Sequence, residues 1–389
     1  MGLGAAALSP ALLAACGGGS GGSSEQLPIG TPQNPVRLPV TREPIADGLA
    51  PESGTLRIYD YADYLNPDTI ARFESTYGVE VELSTFATEE EALIKLRSGA
   101  VDADLAIGLT DLSIAPLVAA DLLQPFNRSY LSNFTNLIAG LQDPYYDQGS
   151  QYTVAQFIYA NGIGYRTDRN LDTSVFTGNE GWNALWDSRY RGRVGILDFY
   201  RDTLSMPMLR RGLTDVNTSD RAVVEQAGAD LAEVVQAVQP QLDGISYQEI
   251  PAGNRDLGFC WSGEMLAGPG YLPEGVDPSV LGFWYPGNTL TGNDFYCLLA
   301  KSTRPVLAHA FVDFFLDVDN ALENQLYVGY QPALQAIETE QLIERNGLPE
   351  SLIDALVTPE RYESGQRLVR LSPEVDAIWV DVWSEFIAG

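Results

Sequence analysis

Acidic and aromatic residues occur together in two short segments of the sequence. The first, DYADY, spans residues 60–64, and the second, DFYRD, spans residues 198–202. A carboxylate attracts a cation by its charge, and the face of an aromatic ring attracts it through the ring quadrupole. Both segments are therefore candidates for binding a small positively charged molecule. Asp198 and Asp202 are also four residues apart, and on one helix they would share a face, as paired carboxylates of a hydrolase could.

Other reactive residue types are sparse. The single histidine, His309, lies in an apolar segment that predicts a packed helix rather than a base beside a nucleophile. Cys260 and Cys297 are far apart in the sequence and have no partner histidines, so zinc is not expected. In an exported protein these two cysteines are candidates for a disulfide, with two buried thiols as the alternative. We predict a binding protein without catalytic residues, metal or cofactor.

The composition is that of an ordinary globular chain with a strongly acidic character. The 389 residues include 52 acidic and 23 basic side chains, which gives a formal net charge of −29 at pH 7. This charge argues against a nucleic-acid partner, because binding phosphates needs a basic surface. A negative field steers cations towards a protein, although an acidic coat that favours solubility gives the same composition. The length favours two lobes over one core.

The N-terminus resembles the export signal of a bacterial lipoprotein. Residues 1–15 are mostly small and apolar, and LAAC, ending at Cys16, resembles a lipobox whose cysteine becomes lipidated. Residues 16–53 follow as a Gly/Ser tether and a proline-containing extended arm. No arginine or lysine precedes the apolar run, so we expect the natural start upstream of Met1. The protein is thus predicted to be exported and lipid-anchored, periplasmic or on the outer face of the cytoplasmic membrane.

The folded region begins near Thr55 and alternates strands with helices. Predicted strands lie at 56–59, 79–83, 104–107, 193–197, 257–261 and 295–299, and predicted helices at 67–77, 88–98, 112–123, 220–238 and 306–316. The strand–helix alternation predicts an α/β fold with parallel strands and right-handed crossovers. Ligands bind such sheets at the carboxyl ends of the strands, which here are residues 60–64 and 110–111.

Several blocks, in a consistent order, resemble the spermidine/putrescine-binding proteins of ABC importers. The blocks are YDYADY at 59–64, WNALW at 182–186, LGFCWSG at 257–263 and GYQP at 329–332. The resemblance covers roughly residues 54–389. It implies a two-lobed type II periplasmic-binding-protein fold, in which each lobe is a mostly parallel sheet flanked by helices and the lobes close over a ligand. Lobe one would comprise 54–159 plus 290–338, and lobe two 160–289 plus 339–389.

The resemblance also implies which residues bind the ligand. The matched positions are Tyr61, Tyr64, Asp202, Trp261, Asp294 and Tyr330. Asp198 is expected to support Asp202, and Gln366 is a further candidate that would reach the pocket from lobe two. The carboxylates would hold the amino groups of a polyamine, and the aromatic rings would hold its methylene chain. Asp111 is either a further amine partner or the N-cap of the helix predicted at 112–123.

The function implied is that of a receptor, expected to be a monomer, which captures a polyamine and delivers it to a membrane permease. Some positions depart from the family: Tyr61 replaces a common tryptophan, and Leu109-Thr110-Asp111 replaces a polar–aromatic stretch. A zwitterion or a ferric ion therefore stays open as the ligand, and Tyr145-Tyr146 is the adjacent tyrosine pair that iron would favour. An extracellular hydrolase using Asp198 and Asp202 is the remaining alternative.

Overall fold

The computed structural model describes residues 27–169 and 171–388, apart from the side chain of Asn346. The predicted signal at 1–15, the predicted lipidation site Cys16 and the Gly/Ser tether lie outside these residues. The strands of the described residues are β1 (Thr55–Tyr61), β2 (Glu80–Phe86), β3 (Leu105–Leu109), β4 (Val154–Arg166), β5 (Val194–Leu197), β6 (Gln241–Asp243), β7 (Leu257–Trp261), β8 (Leu281–Trp284), β9 (Thr291–Leu298) and β10 (Gln331–Pro332).

The α-helices of the same residues flank these strands, with short 3-10 turns between them. They are α1 (Pro67–Tyr77), α2 (Glu89–Ser98), α3 (Asp111–Ala119), α4 (Ala139–Gln142), α5 (Tyr200–Arg210), α6 (Arg221–Val238), α7 (Ser246–Glu249), α8 (Ser262–Ala267), α9 (Pro305–Phe315), α10 (Val318–Val328), α11 (Thr339–Asn346), α12 (Pro359–Ser364) and α13 (Pro373–Ala388). None of the helices in the described ranges is both long enough and apolar enough for a membrane crossing.

Local sequence signals set the ends of the first helix. The side chain of Asn66 accepts a hydrogen bond from the backbone N–H of Asp68 at 2.9 Å, and Pro67 occupies the first helical position. Gly78 ends the helix in the left-handed region with a φ of 66°, which suits a residue without a Cβ. These bounds confirm the predicted helix and place residues 60–64 at the end of β1 and the start of its connection to α1.

The strands form one connected sheet in the order β2-β1-β3-β9-β4-β7-β5-β6, with β8 and β10 also paired to β4. β1 lies parallel to β2 and β3, and β5 lies parallel to β6 and β7, as the strand–helix alternation predicts. β9 is antiparallel to both β3 and β4. β4 pairs with β9 through residue 160 and with β7 from residue 161, so it runs through both halves of the sheet.

The arm before β1 lies along the half of the molecule that contains β1. Leu38 is buried, and the Glu52 carboxylate accepts hydrogen bonds from the backbone N–H groups of Val306 and Leu307 at the start of α9. Residues 27–53 contain no helix or strand beyond an isolated bridge, as expected for an extended arm. These contacts fix the arm where it enters β1.

The candidate disulfide is not formed. Cys260 on β7 and Cys297 on β9 are both free and fully buried, and they belong to different hydrophobic clusters. The two cysteines are separated by β4, which lies between β7 and β9 in the sheet. The alternative of two buried thiols is therefore the one that the structure shows, and burial raises the pKa of both.

Candidate functional site

β4 supplies the floor of the candidate site. Its residue Phe157 pairs with Asp294 on β9, and its residue Asn161 pairs with Trp261 on β7. Alternate residues of a strand point to the same face, so Phe157, Tyr159 and Asn161 face one side. That face also carries Asp294 and Trp261, because directly opposed residues in antiparallel strands share a face. One strand thereby aligns residues from two sequence-distant regions.

Asp294 marks one end of the site, and Tyr64 holds it in place. The Tyr64 hydroxyl donates a hydrogen bond to Asp294 Oδ2, and the Tyr64 ring packs 5.2 Å from the Phe157 ring and 5.5 Å from the Tyr61 ring. Burial, with a smaller contribution from the charge of Glu89, raises the pKa of Asp294 to about 8, although the hydrogen bond from Tyr64 lowers it. Among the described residues, no basic side chain forms an ion pair with Asp294.

Two further carboxyl groups surround this end. Glu89, the first residue of α2, accepts hydrogen bonds from Thr110 N at 2.7 Å and Thr110 Oγ1 at 2.8 Å, and burial raises its pKa to about 7. Asp60 is only 1% exposed, and its Oδ1 accepts the Tyr61 N–H at 2.7 Å while its Oδ2 has no partner. Burial raises the pKa of Asp60 as well. This end is therefore rich in carboxyl groups, none of which pairs with a basic side chain of the described residues.

Asp202, in the first turn of α5, marks the other end. Its Oδ1 accepts two hydrogen bonds, from Asn161 Nδ2 at 2.9 Å and from Trp261 Nε1 at 3.2 Å. The Trp261 ring packs 4.8 Å from the Phe199 ring. Burial raises the pKa of Asp202, although both hydrogen bonds and Arg201 lower it. Both donors use one oxygen, so Oδ2 accepts no side-chain hydrogen bond from the described residues.

A series of aromatic rings connects the two ends. The Tyr330 ring centroid lies 5.5 Å from Tyr64 and 6.1 Å from Tyr159, and the Tyr159 centroid lies 6.5 Å from Trp261. Gly263, on α8, allows this arrangement because a Cβ at that position would overlap the Tyr330 ring. The ring faces, the carboxylates and the single strand beneath them form one continuous surface.

Two predicted residues lie outside this set of contacts. Asp198 is exposed and precedes α5, which begins at Tyr200, so the prediction that it shares a helix face with Asp202 is wrong. The side chain of Gln366 donates to Asn288 Oδ1 at 3.4 Å, and its backbone pairs with the segment before β9. Gln366 thus holds the segment that connects β8 to β9, which pair with different halves of β4.

Asp111 has a different environment from the other acids. The N-cap of α3 is Thr110, whose hydroxyl accepts the Leu112 N–H at 3.3 Å, so the N-cap alternative for Asp111 is wrong. Asp111 accepts a hydrogen bond from the Tyr145 hydroxyl. Burial raises the pKa of Asp111 to about 6, whereas the Tyr145 hydrogen bond and Arg367 lower it. Its role as an amine partner stays a prediction.

The adjacent tyrosines do not combine into one site. Tyr145 donates to Asp111, whereas the Tyr146 hydroxyl accepts a hydrogen bond from Asn293 Nδ2 at 2.8 Å. The two hydroxyls therefore serve different partners. His309 is buried and accepts the Asn127 N–H at 2.8 Å through Nε2, in agreement with a packed histidine.

Sequence reasoning missed four residues of the site. Phe157, Tyr159 and Asn161 lie on β4, a strand that is buried along nearly its whole length and therefore shows no alternating pattern from which it could be predicted. Glu89 falls at the start of the helix predicted at 88–98, and nothing in that pattern indicates a role in the site. These four residues are Phe157, Tyr159, Asn161 and Glu89.

The fold and the site together define a solute-binding protein with the type II periplasmic architecture. The family described as bacterial extracellular solute-binding protein matches residues 68–349. This match covers more than half of the chain, so the chain belongs to that family. Membership confirms the prediction of a binding protein over that of a hydrolase.

Individual relatives are similar along most of the chain. The spermidine/putrescine-binding periplasmic protein of Salmonella typhimurium is 25% identical over 285 residues, which cover 72% of this chain and 78% of that protein. The putrescine/cadaverine-binding protein of Pseudomonas aeruginosa is also 25% identical over 285 residues, with 70% and 78% covered. The solved structure of the spermidine/putrescine ABC transporter substrate-binding protein PotD from Streptococcus pneumoniae superposes with a TM-score of 0.70 at 21% identity, covering 86% of this chain and 99% of that one. The structural similarity confirms the predicted fold.

Proposed function

We propose that this protein binds a linear polyamine of the spermidine/putrescine class between Asp294 and Asp202 and delivers it to the permease of an ABC importer. The observation that carries the proposal is a pair of carboxylates, Asp294 buried and Asp202 half-buried, at opposite ends of one series of aromatic rings. An aromatic donor holds one oxygen of each carboxylate, which leaves the other oxygen for a ligand. The names of the two curated relatives support a polyamine.

The charges favour a ligand with a cation at each end. A buried carboxylate without a partner is unfavourable, and an ammonium about 4 Å away supplies about 4 kcal/mol of attraction at an effective dielectric of 20, before desolvation. A ring face under the methylene chain and its cations adds about 0.5–2 kcal/mol. The carboxylates should therefore determine affinity, and the rings should determine shape. A zwitterion would place its own carboxylate beside Asp294 or Asp202, which like charges disfavour.

Isothermal titration calorimetry with putrescine and spermidine tests the proposal. We expect Asp294→Asn and Asp202→Asn each to weaken binding by about 2–5 kcal/mol, because each removes the charged partner of a buried ammonium. Asp198→Asn is the matched control: it removes the same charge from an exposed position nearby and should bind as the wild type does. Wild-type affinity in both Asp294→Asn and Asp202→Asn would contradict the proposed site.

The lobe assignment is also a proposal. We take 54–159 plus 290–338 as lobe one and 160–289 plus 339–389 as lobe two, closing as a monomer by a hinge. β4 pairs with β9 through residue 160 and with β7 from residue 161, and this change of partner strand supports the division. Small-angle scattering should show a smaller radius of gyration when spermidine is added, and an unchanged value would contradict closure.

Attachment to the membrane completes the proposal. The lipobox-like sequence ending at Cys16 supports an exported lipoprotein whose Gly/Ser tether lets the folded part reach a permease. Expression with an export-competent leader should place the wild type in the membrane fraction and Cys16→Ser in the released fraction. Equal release of both proteins would contradict lipid anchoring.

A further inference from the structure

Tyr159 occupies the middle of the site. It lies two residues after Phe157, which packs against the Tyr64 ring at the Asp294 end, and two residues before Asn161, which holds Asp202. Two residues along a strand span about 7 Å, so Tyr159 is about equally far from both neighbours on its face. A ligand that reaches both carboxylates must therefore pass Tyr159.

The neighbouring side chains fix the orientation of the Tyr159 ring. Gly292 is its partner on β9, and a Cβ at Gly292 would lie 2.6 Å from the ring Cζ and from the hydroxyl oxygen. The Tyr330 ring stands at 88° to the Tyr159 ring and the Trp261 ring at 71°. The hydroxyl is thus held against the β9 backbone, between two upright rings.

The Tyr159 hydroxyl has no hydrogen-bond partner among the described residues. The Tyr64 hydroxyl and the Trp261 indole each donate to a carboxylate, whereas the hydroxyls of Tyr61 and Tyr330 likewise have no hydrogen-bond partner among the described residues. Burial raises the pKa of Tyr159, and the charges of Asp294 and Asp202 raise it further, so the hydroxyl stays protonated. An oxygen in such negative surroundings accepts most favourably from a cationic N–H donor.

We propose that Tyr159 is a specificity-determining residue whose hydroxyl accepts a hydrogen bond from an internal amino group of the ligand, so that the site selects linear triamines over diamines. The inference rests on the proposed polyamine function. A diamine has ammonium groups only at its ends and presents methylenes to Tyr159. A triamine such as spermidine presents an N–H donor between its ends.

Calorimetry on Tyr159→Phe tests this inference, because the substitution removes the hydroxyl and keeps the ring. We expect spermidine to bind about 10- to 100-fold more weakly, the range for one hydrogen bond to a charged group. Putrescine and cadaverine should bind as they do to the wild type. The measured quantity is the ratio of spermidine affinity to putrescine affinity, which a change in stability alone would not alter.

Gly292→Ala provides a second variant that leaves Tyr159 chemically intact. Its Cβ would displace the ring, so the same selective loss of spermidine affinity is expected. An unchanged ratio of spermidine affinity to putrescine affinity in Tyr159→Phe would overturn the role of Tyr159. Equal losses of affinity for spermidine and the diamines in either variant would do the same. If the wild type bound none of these amines, the proposed function itself would fail, so the two failures are distinguishable.

Discussion

Polyamine binding should release protons, because the Asp294 end holds carboxyl groups that are partly neutral without a ligand. Burial raises the pKa of Asp294 to about 8 and that of Glu89 to about 7. A bound ammonium favours the ionised carboxylate and lowers its pKa. Binding at neutral pH therefore requires Asp294 to lose its proton, and affinity becomes linked to pH.

The size of this pH dependence follows from the ionised fraction of Asp294 in the ligand-free protein. With a pKa of about 8, about 1% of Asp294 is ionised at pH 6 and about half at pH 8. The dissociation constant should therefore fall about 50-fold over this interval, which is about 2.3 kcal/mol. The ligand's primary ammonium groups, which resemble that of lysine, remain protonated throughout.

Calorimetry at pH 6, 7 and 8 measures the change in the dissociation constant. Titrations at pH 7 in buffers of different ionisation enthalpy count the protons that are released on binding. Asp294 should release about 0.9 proton at pH 7, and Glu89 up to about 0.5 more if it also ionises. Asp294→Asn should remove most of the pH dependence, whereas Asp198→Asn should retain it. Equal dissociation constants at pH 6 and pH 8, with heats independent of the buffer, would refute the reasoning.

Three further predictions concern stability, packing and thiols. Because burial raises the folded-state pKa of Asp294 to about 8 and that of Glu89 to about 7, whereas unfolded carboxyl groups titrate at about pH 4, the ligand-free protein should lose stability as pH rises from about 4 to about 8; unfolding midpoints at pH 5.5 and 8.5 should therefore differ less in Asp294→Asn. Gly263→Ala should displace Tyr330 and weaken polyamine binding, whereas Gly270→Ala, with nothing within 4 Å of its Cβ, should not. Peptides containing Cys260 and Cys297 should be fully alkylated after denaturation without reductant, and a linked pair would contradict the structure.

Elements with local signals at both ends could be predicted from the sequence. α1 is bounded by Asn66-Pro67 and Gly78, and each residue acts within a few positions of itself through a cap or a backbone angle. β4 lacks such signals: nearly all of its 13 residues are buried, so hydrophobicity does not alternate along it. The change of its pairing partner from β9 to β7 depends on strands that lie more than 90 residues further along the chain.

The site shows the same division between local and distant information. Tyr61 and Tyr64 could be placed at a strand end by local pattern alone, and the structure brings their rings within 5.5 Å. Tyr159 and Asn161 could not, because their roles depend on Gly292, Trp261 and Asp202 across the sheet. The prediction that Asp198 shares a helix face with Asp202 was wrong for a local reason, because α5 begins two residues after Asp198.

The carboxylates of the site also explain why a ligand should be needed to close the cleft. Asp294 is buried and Asp202 half-buried among residues of distant segments, and the hydrogen bonds from Tyr64 and Trp261 satisfy only one oxygen of each. A cleft closed over two such groups either carries unpaired charge or holds protonated acids, and both are unfavourable near neutral pH. A dication removes that penalty at both ends at once, whereas a monocation relieves only one. The equilibrium between open and closed forms should therefore respond to a polyamine far more than to an amine with a single charge.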